Sequence, residues 1–181
     1  NLAITMAEEL NQTVLLVDAD LRRPSLQDYL KIGESIGITD CLADGADAGK
    51  AIIKTAIPKL SFLGAGRKVK NPAELLSSSR MRELLGELKQ RYHDRYVIID
   101  TPPVLPFAET QVLGQLVDGV LFVVREGMTT LVGVSDALES LHGAELLGIV
   151  YNDASVGSLM DRYGYSGYGY DRYQRHGEGR Q

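Results

Sequence analysis

The stretch Val14-Leu-Leu-Val-Asp-Ala-Asp-Leu-Arg-Arg-Pro24 joins an apolar run to two carboxylates and two arginines. Val14 to Val17 predicts a short buried strand, because the run is too continuous for an exposed strand and Pro24 ends any helix early. Asp18 and Asp20 then lie at the carboxyl end of that strand. Ligands bind beyond such ends in an open parallel sheet, so the pattern suggests phosphate and metal chemistry. A turn or helix-capping role for these acids is the alternative interpretation.

Composition indicates one soluble domain with a real core: 181 residues, 44% of them hydrophobic and 24% charged. The net charge of -5 argues against a nucleic-acid binder that works by general basicity. The single cysteine, Cys41, excludes an internal disulfide and a cysteine metal cluster, and fits a reducing compartment. No apolar run reaches the length of a membrane span, and no signal peptide is visible, so a cytoplasmic location is expected.

A second apolar run also ends in an acid: Tyr96-Val-Ile-Ile-Asp-Thr-Pro-Pro103. Asp100 repeats the placement of Asp18, so two strands are expected to present carboxylates at the same edge of one sheet. Further strands are predicted over Asp118–Arg125 and Leu146–Asp153. Strands that alternate with helices at this spacing require crossover connections, which predicts an α/β fold with a mostly parallel sheet covered on both faces.

Hydrophobic spacing and glycine or proline boundaries predict the remaining elements. The chain begins within an amphipathic helix over Asn1–Leu10, before which no strand or phosphate loop is present in the sequence. A strand is predicted over 60–66, where glycines close it. Helices are predicted over 26–30, 38–45, 48–55, 72–76, 79–92, 107–116 and 130–142.

These residues carry a family resemblance. Val14–Arg22 resembles the second Walker-A-type motif, and Val97–Pro103 the Walker B motif, of bacterial tyrosine kinases. Those are P-loop-derived kinases of capsule and exopolysaccharide synthesis, related to the Min and Par ATPases. The resemblance covers essentially the whole chain and implies a P-loop NTPase-like three-layer αβα sandwich. It implies a partial kinase domain over 1–153 and a flexible tail over 154–181. Also similar to the family are Asn71–Leu76, Arg80-Met-Arg82, Val123–Thr130 and Gly148–Asn152.

The resemblance also implies ATP and Mg²⁺ as cofactors, and a role for each polar residue at the strand ends. Asp18 is expected to assist the attacking tyrosine hydroxyl and to interact with the magnesium shell. Asp20 is expected to support Mg²⁺ coordination, and Asp100 to hold Mg²⁺ directly or through water. Arg22 is expected to neutralise phosphate charge or bridge subunits, and Asn152 to contact adenine. An ordinary surface arginine and a turn residue are the alternatives for these last two.

The C-terminal stretch concentrates five of the 9 tyrosines among glycine, aspartate and arginine, with almost no aliphatic residues. Such a segment cannot bury enough surface to order itself. The resemblance implies that these tyrosines accept phosphate from a neighbouring subunit in a homo-oligomer, which separates once the tails are charged. A sticky terminus or a nucleic-acid tether are alternatives, and acids in the tail weigh against nucleic acid. The tyrosines are Tyr163, Tyr165, Tyr168, Tyr170 and Tyr173.

The phosphate loop is the largest departure from the family. No G-x-x-x-x-G-K-[ST] pattern occurs in the sequence, and that loop is expected just before Asn1. The strand leading into it, which belongs inside the sheet, is also missing. The hypothesis is that this chain is a fragment of a longer kinase domain, which alone binds nucleotide poorly and is inactive.

The function expected by resemblance is protein-tyrosine autokinase activity that regulates exopolysaccharide or capsule synthesis and export. It implies a membrane copolymerase or activator as partner, a tyrosine phosphatase, and a position at the inner face of the membrane through a partner or a missing upstream region. Direct membrane insertion is not expected. One alternative is an ATPase switch of the Par or Min type, in which water attacks the phosphate. Another is a degenerate regulatory domain without catalysis.

Overall fold

The computed structural model describes residues 1–154, which form eight helices and six strands. Helices and strands alternate along most of this length, as the hydrophobic spacing predicts. The strands are β1 (Val14–Asp18), β2 (Ile53–Lys54), β3 (Leu60–Leu63), β4 (Tyr96–Asp100), β5 (Val120–Arg125) and β6 (Leu146–Asn152). The helices are α1 (Leu2–Glu8), α2 (Leu26–Tyr29), α3 (Ile38–Asp44), α4 (Ala48–Ala51), α5 (Pro72–Leu76), α6 (Ser79–Arg91), α7 (Ala108–Gly114) and α8 (Leu131–Ser140).

The main sheet has the strand order β2-β3-β1-β4. Strand β1 pairs in parallel with β3 on one side and with β4 on the other, so that Val14 lies between Leu60 and Tyr96. Both connections are long crossovers that contain helices, as parallel pairing requires. Strand β1, which ends in Asp18, is therefore an interior strand of the sheet.

Strand β1 is covered on both faces, and its side chains alternate between two cores. Leu15 and Val17 pack into a large cluster with residues of α3 and α6, whereas Val14 and Leu16 pack into a smaller cluster beneath α1. This arrangement is the expected three-layer sandwich. Leu15 is fully buried, and burial of one such side chain stabilises the fold by about 2 kcal/mol.

The turn after β3 packs closely against the start of α3. The backbone N–H of Ile38 donates to the Gly64 carbonyl at 2.8 Å, and that of Thr39 donates to the Ala65 carbonyl at 3.0 Å. These bonds end the strand at Leu63, short of the predicted 66. A methyl group on Gly37 would lie 2.2 Å from the Gly66 nitrogen, so the close approach requires glycine.

A second local prediction was also wrong in extent. The helix predicted over 48–55 ends at Ala51, and the chain continues as the short antiparallel edge strand β2. Ile53 pairs with Phe62 of β3, so cross-strand pairing decides the conformation of a β-branched segment whose helical spacing is weak.

The predicted parallel sheet, covered on both faces, is present around β1, but it does not continue into the last two strands. Strands β5 and β6 pair in parallel as a separate two-stranded sheet, and no strand of residues 1–154 hydrogen-bonds to both β4 and β5. Large side chains of β6 are exposed on both faces, including Leu147 at 65% and Val150 at 43%. In the described part of the chain, no helix has the length and apolar character needed to cross a bilayer.

Candidate active site

The two acidic strand ends lie side by side. Asp18 is the register partner of Asp100 on the neighbouring parallel strand, and the Ala19 N–H donates to the Asp100 carbonyl at 2.8 Å. The carboxyl ends of parallel strands meet at one edge of a sheet, so both carboxylates belong to the same rim. The sequence predicts this juxtaposition, and the strand register confirms it.

Asp18 is a buried carboxyl group, with only 1% of its surface exposed. Its Oδ1 accepts the backbone N–H of Asp20 and its Oδ2 accepts that of Leu26, both at 3.2 Å. Burial is the main cause that raises its pKa to about 6. The hydrogen bond from Leu26 opposes this rise, and the charge of Asp100 contributes to it. A carboxyl group with a pKa near 6 can both hold and release a proton near neutral pH.

Asp20 shapes the loop that follows β1. Its Oδ1 accepts the backbone N–H groups of Arg22 at 3.1 Å and Arg23 at 3.0 Å. This is the local turn chemistry that the alternative interpretation proposed. The side chain is partly buried and lies close enough to Asp100 to influence its titration. Asp20 therefore has a structural function in the loop, whatever it binds.

Asp100 ends β4 and is accessible to solvent. Partial desolvation by the surrounding protein raises its pKa, and the charge of Asp20 adds to this effect. Three carboxylates thus repel one another at a single rim, and a cation placed among them would relieve that repulsion.

The carboxylates at the rim are hard oxygen donors of the kind that Mg²⁺ takes. Within residues 1–154, no group of three or more His, Cys, Asp or Glu side chains is arranged to hold a metal ion. Mg²⁺ is usually bound by one or two carboxylates, with water and substrate phosphates completing its shell. Asp18 and Asp100 supply hard oxygen donors of this kind, and Asp20 lies nearby.

Arg22 lies beside these acids, but its side chain is anchored elsewhere. Its Nε donates to Oε1 of Glu109 at 2.6 Å, and its guanidinium lies 4.4 Å from the centre of the Phe107 ring. Glu109 is 2% exposed and lies in the first turn of α7. No local sequence pattern identifies Glu109, because one acid in a predicted helix gives no sign of a partner 87 residues away.

The remaining predicted residues lie apart from these contacts. Asn152 ends β6 in the second sheet, opposite Arg125, and its carbonyl accepts the Glu126 N–H at 3.1 Å. Its side chain is exposed. The phosphoacceptor prediction falls outside the described residues. It concerns Tyr163, Tyr165, Tyr168, Tyr170 and Tyr173.

Known proteins resemble this chain in sequence. The AAA domain family matches residues 1–146. Tyrosine-protein kinase YwqD of Bacillus subtilis is 36% identical over 169 residues, which cover 92% of this chain and 70% of that protein. Tyrosine-protein kinase CpsD of Streptococcus agalactiae is 31% identical, covering 93% and 73%. Against tyrosine-protein kinase Wzc of Salmonella typhi the chain is 32% identical but spans only 24% of that protein.

Solved structures agree with the sequence comparison. The kinase domain of Escherichia coli tyrosine kinase ETK superposes with a TM-score of 0.79 at 30% identity, covering 93% of this chain and 64% of that chain. The septum site-determining protein MinD of Pyrococcus horikoshii, at a TM-score of 0.66 and 21% identity, covers 88% and 68% and shares the fold alone. That fold is the P-loop NTPase-like fold. The chain belongs to the AAA domain family and, within it, to the bacterial tyrosine-protein kinases.

Proposed function

We propose that the protein transfers the γ-phosphoryl group of ATP to the hydroxyl group of a protein tyrosine. The observation that carries the proposal is the register of β1 and β4, which sets Asp18 beside Asp100 with Asp20 two residues further on. Phosphoryl transfer depends mainly on positioning and on electrostatic stabilisation, and a cluster of carboxylates at a sheet rim serves both.

Asp18 is the residue suited to receive the tyrosine proton. Its pKa of about 6 leaves most of the group ionised at neutral pH and still basic enough to accept a proton. In the proposed reaction, the phenol oxygen forms a bond to the γ-phosphorus while the bond to the bridging oxygen breaks. ADP leaves, and the phenol proton passes to Asp18 and then to solvent.

Asp100 and Asp20 are suited to coordinate the Mg²⁺ ion of a Mg²⁺–nucleotide complex. Asp18 would lie at the edge of the coordination shell of that ion. When bound, the ion neutralises charge on the transferring phosphates. The two backbone N–H groups that bond to Asp20 Oδ1 keep that carboxylate oriented toward the loop. Arg22 and Asn152 are proposed to contribute to nucleotide binding, Arg22 at the phosphates and Asn152 at the adenine.

The acceptors in this proposal are the C-terminal tyrosines of a neighbouring subunit. Each phosphate would add roughly -1.5 to -2 charges, so that multiply phosphorylated tails repel one another and leave the site. The family resemblance supports a role in exopolysaccharide or capsule synthesis and export, with a membrane copolymerase or activator and a tyrosine phosphatase as partners. The proposed location is the cytoplasm, at the inner face of the membrane and without direct insertion.

The test uses protein expressed from the complete coding sequence, incubated with ATP and Mg²⁺ and probed for phosphotyrosine. We expect phosphotyrosine in the wild type and a loss of about 100-fold or more in Asp18→Asn and Asp100→Asn. Asp118→Asn, which alters an exposed ion pair with Lys89, is the matched control and should retain activity. Release of inorganic phosphate without phosphotyrosine would instead identify an ATPase switch of the Min or Par type.

Transfer between subunits needs a separate experiment. Asp18→Asn protein that carries the tail is mixed with active protein whose five tail tyrosines are replaced by phenylalanine. Phosphotyrosine on the Asp18→Asn chain demonstrates transfer in trans. Its absence, with the active protein still able to phosphorylate itself when its tail is intact, restricts the reaction to one chain.

A further inference from the structure

A buried ion pair connects the loop after β1 with the helix after β4. Arg22 Nε lies 2.6 Å from Glu109 Oε1, and the side chain of Glu109 is 2% exposed while that of Arg22 is 36% exposed. The Phe107 ring, 4.4 Å from the guanidinium carbon, covers one face of the arginine. In the other ion pairs of the described part of the chain, the carboxylate is at least 19% exposed. The Arg22–Glu109 pair differs from them because its carboxylate is buried.

Burial of a carboxylate is costly, and removal of its partner leaves an uncompensated charge. Glu109 therefore constrains where Arg22 can lie far more strongly than an exposed acid does. The planar guanidinium adds directional preference, because its N–H groups are fixed in one plane. A contact with these properties holds two segments in one arrangement.

The two segments held are those that carry the proposed site. On one side, the backbone N–H of Arg22 donates to Asp20 Oδ1 at 3.1 Å. On the other, the Thr110 hydroxyl next to Glu109 donates to the Pro102 carbonyl at 3.0 Å in a buried setting, two residues after Asp100. A covalent and hydrogen-bonded path therefore runs from Asp20 through Arg22 and Glu109 to the end of β4.

We infer that Glu109 is a positioning residue, which acts through Arg22 to hold the Asp20 carboxylate in place beside Asp100. Glu109 need not touch nucleotide or metal. Its relevance to phosphoryl transfer rests on the proposed function, but the positional claim concerns this chain's own loop and can be measured without catalysis. An interaction that merely stabilises the fold would not affect the Asp20 loop selectively.

The first experiment is amide hydrogen exchange over residues 19–26, where the backbone N–H groups of Asp20, Arg22, Arg23 and Leu26 donate to Asp18 and Asp20. In Glu109→Gln we expect exchange of this segment to be about tenfold faster than in the wild type, because the charge-assisted bond is lost. Glu87→Gln, which alters the exposed pair with Arg91 on α6, is the control and should leave the segment unchanged. Unchanged exchange in Glu109→Gln, or equal acceleration across the whole chain, would overturn the inference.

A second and a double variant test the same contact from its exposed side, and the double variant leaves no buried charge unpaired. Arg22→Met removes the cation from the exposed side of the pair, and its loop should show the same acceleration. The double variant should exchange no faster than Arg22→Met alone, because Glu109 acts through Arg22. Additive effects would show that Glu109 acts by another route and would contradict the inference.

The third experiment connects the pair to metal binding in protein from the complete coding sequence. We expect Glu109→Gln to raise the Mg²⁺ concentration that gives half-maximal nucleotide binding roughly tenfold. The dissociation constant for nucleotide at saturating Mg²⁺ should change by a smaller factor. A change in the two quantities by the same factor would assign Glu109 a general structural role instead. If the wild type binds nucleotide but forms no phosphotyrosine, the kinase proposal fails while the exchange and binding results still decide the role of Glu109.

Discussion

Asp18 and Asp100 are paired residues on adjacent parallel strands, and each carries its carboxyl group to the same rim of the sheet. The charge of Asp100 contributes to the raised pKa of Asp18, second among the raising effects to burial itself. A slip of one residue in this register would turn one of the two side chains to the opposite face and separate the charges. The strand register therefore sets the electrostatics of the site.

The stability of the metal-free protein should depend on pH through Asp18. Its pKa rises from 3.8 in the unfolded chain to about 6 in the fold, so the folded state binds the proton more tightly. Stability from this group is fully present below pH 4 and is lost as pH rises through about 6, by roughly 3 kcal/mol in total. Urea denaturation at several pH values should show that loss in the wild type relative to Asp18→Asn, whereas Asp118→Asn should follow the wild type. A wild-type curve parallel to that of Asp18→Asn would contradict the assigned pKa.

Removal of the neighbouring charge should lower the pKa of Asp18. In Asp100→Asn the repulsion that favours the protonated form is gone, so the titration midpoint should shift to lower pH. Asp20→Asn should shift it less, because the Asp20 charge raises the pKa of Asp18 less than the Asp100 charge does. Carboxyl carbon NMR of Asp18 would measure both shifts. A larger shift in Asp20→Asn than in Asp100→Asn would contradict the finding that the Asp100 charge acts on Asp18 more strongly than the Asp20 charge does.

Two glycine-to-alanine substitutions should have opposite effects on the free energy of unfolding. Gly86 lies within α6 with open space around it, so Gly86→Ala should stabilise by about 0.5–1 kcal/mol. Gly37→Ala would place a methyl group 2.2 Å from the Gly66 nitrogen and 2.3 Å from the Gly64 carbonyl oxygen, which are backbone atoms. It should destabilise by about 1–3 kcal/mol. Chemical denaturation measures both, and destabilisation of similar size in the two variants would contradict the packing described at Gly37.

Replacement of the five tail tyrosines by phenylalanine should abolish phosphotyrosine without affecting nucleotide binding. In the proposal, the tail tyrosines contribute only the hydroxyl groups that accept phosphate. The aspartates proposed to bind Mg²⁺–nucleotide and to activate the hydroxyl are unchanged in this variant. Tyr29→Phe is the matched control, because Tyr29 is 81% exposed on α2 and should not be an acceptor. Mass spectrometry of the phosphorylated protein distinguishes the two. Phosphate at Tyr29 that persists after replacement of the tail tyrosines would move the acceptor site into the folded part of the chain.

Local sequence patterns were sufficient for much of the architecture. An apolar run of four residues followed by Asp18, and a second followed by Asp100, predict strands that deliver carboxylates to a sheet edge, because strand burial and chain direction are properties of a few consecutive residues. Helix α6 follows from hydrophobic spacing alone, and in the structure Ser78 caps it by accepting the Met81 N–H. The family resemblance arose from the same short motifs.

Other features depended on contacts between residues distant in sequence. The pairing of Ile53 with Phe62 made the end of a predicted helix into a strand, and β5 and β6 formed a sheet of their own. The sequence determined which side chains stand at the ends of the strands. The contact of Arg22 with Glu109 and the raised pKa of Asp18 follow from the packing of the elements, because no local pattern records burial or long-range pairing.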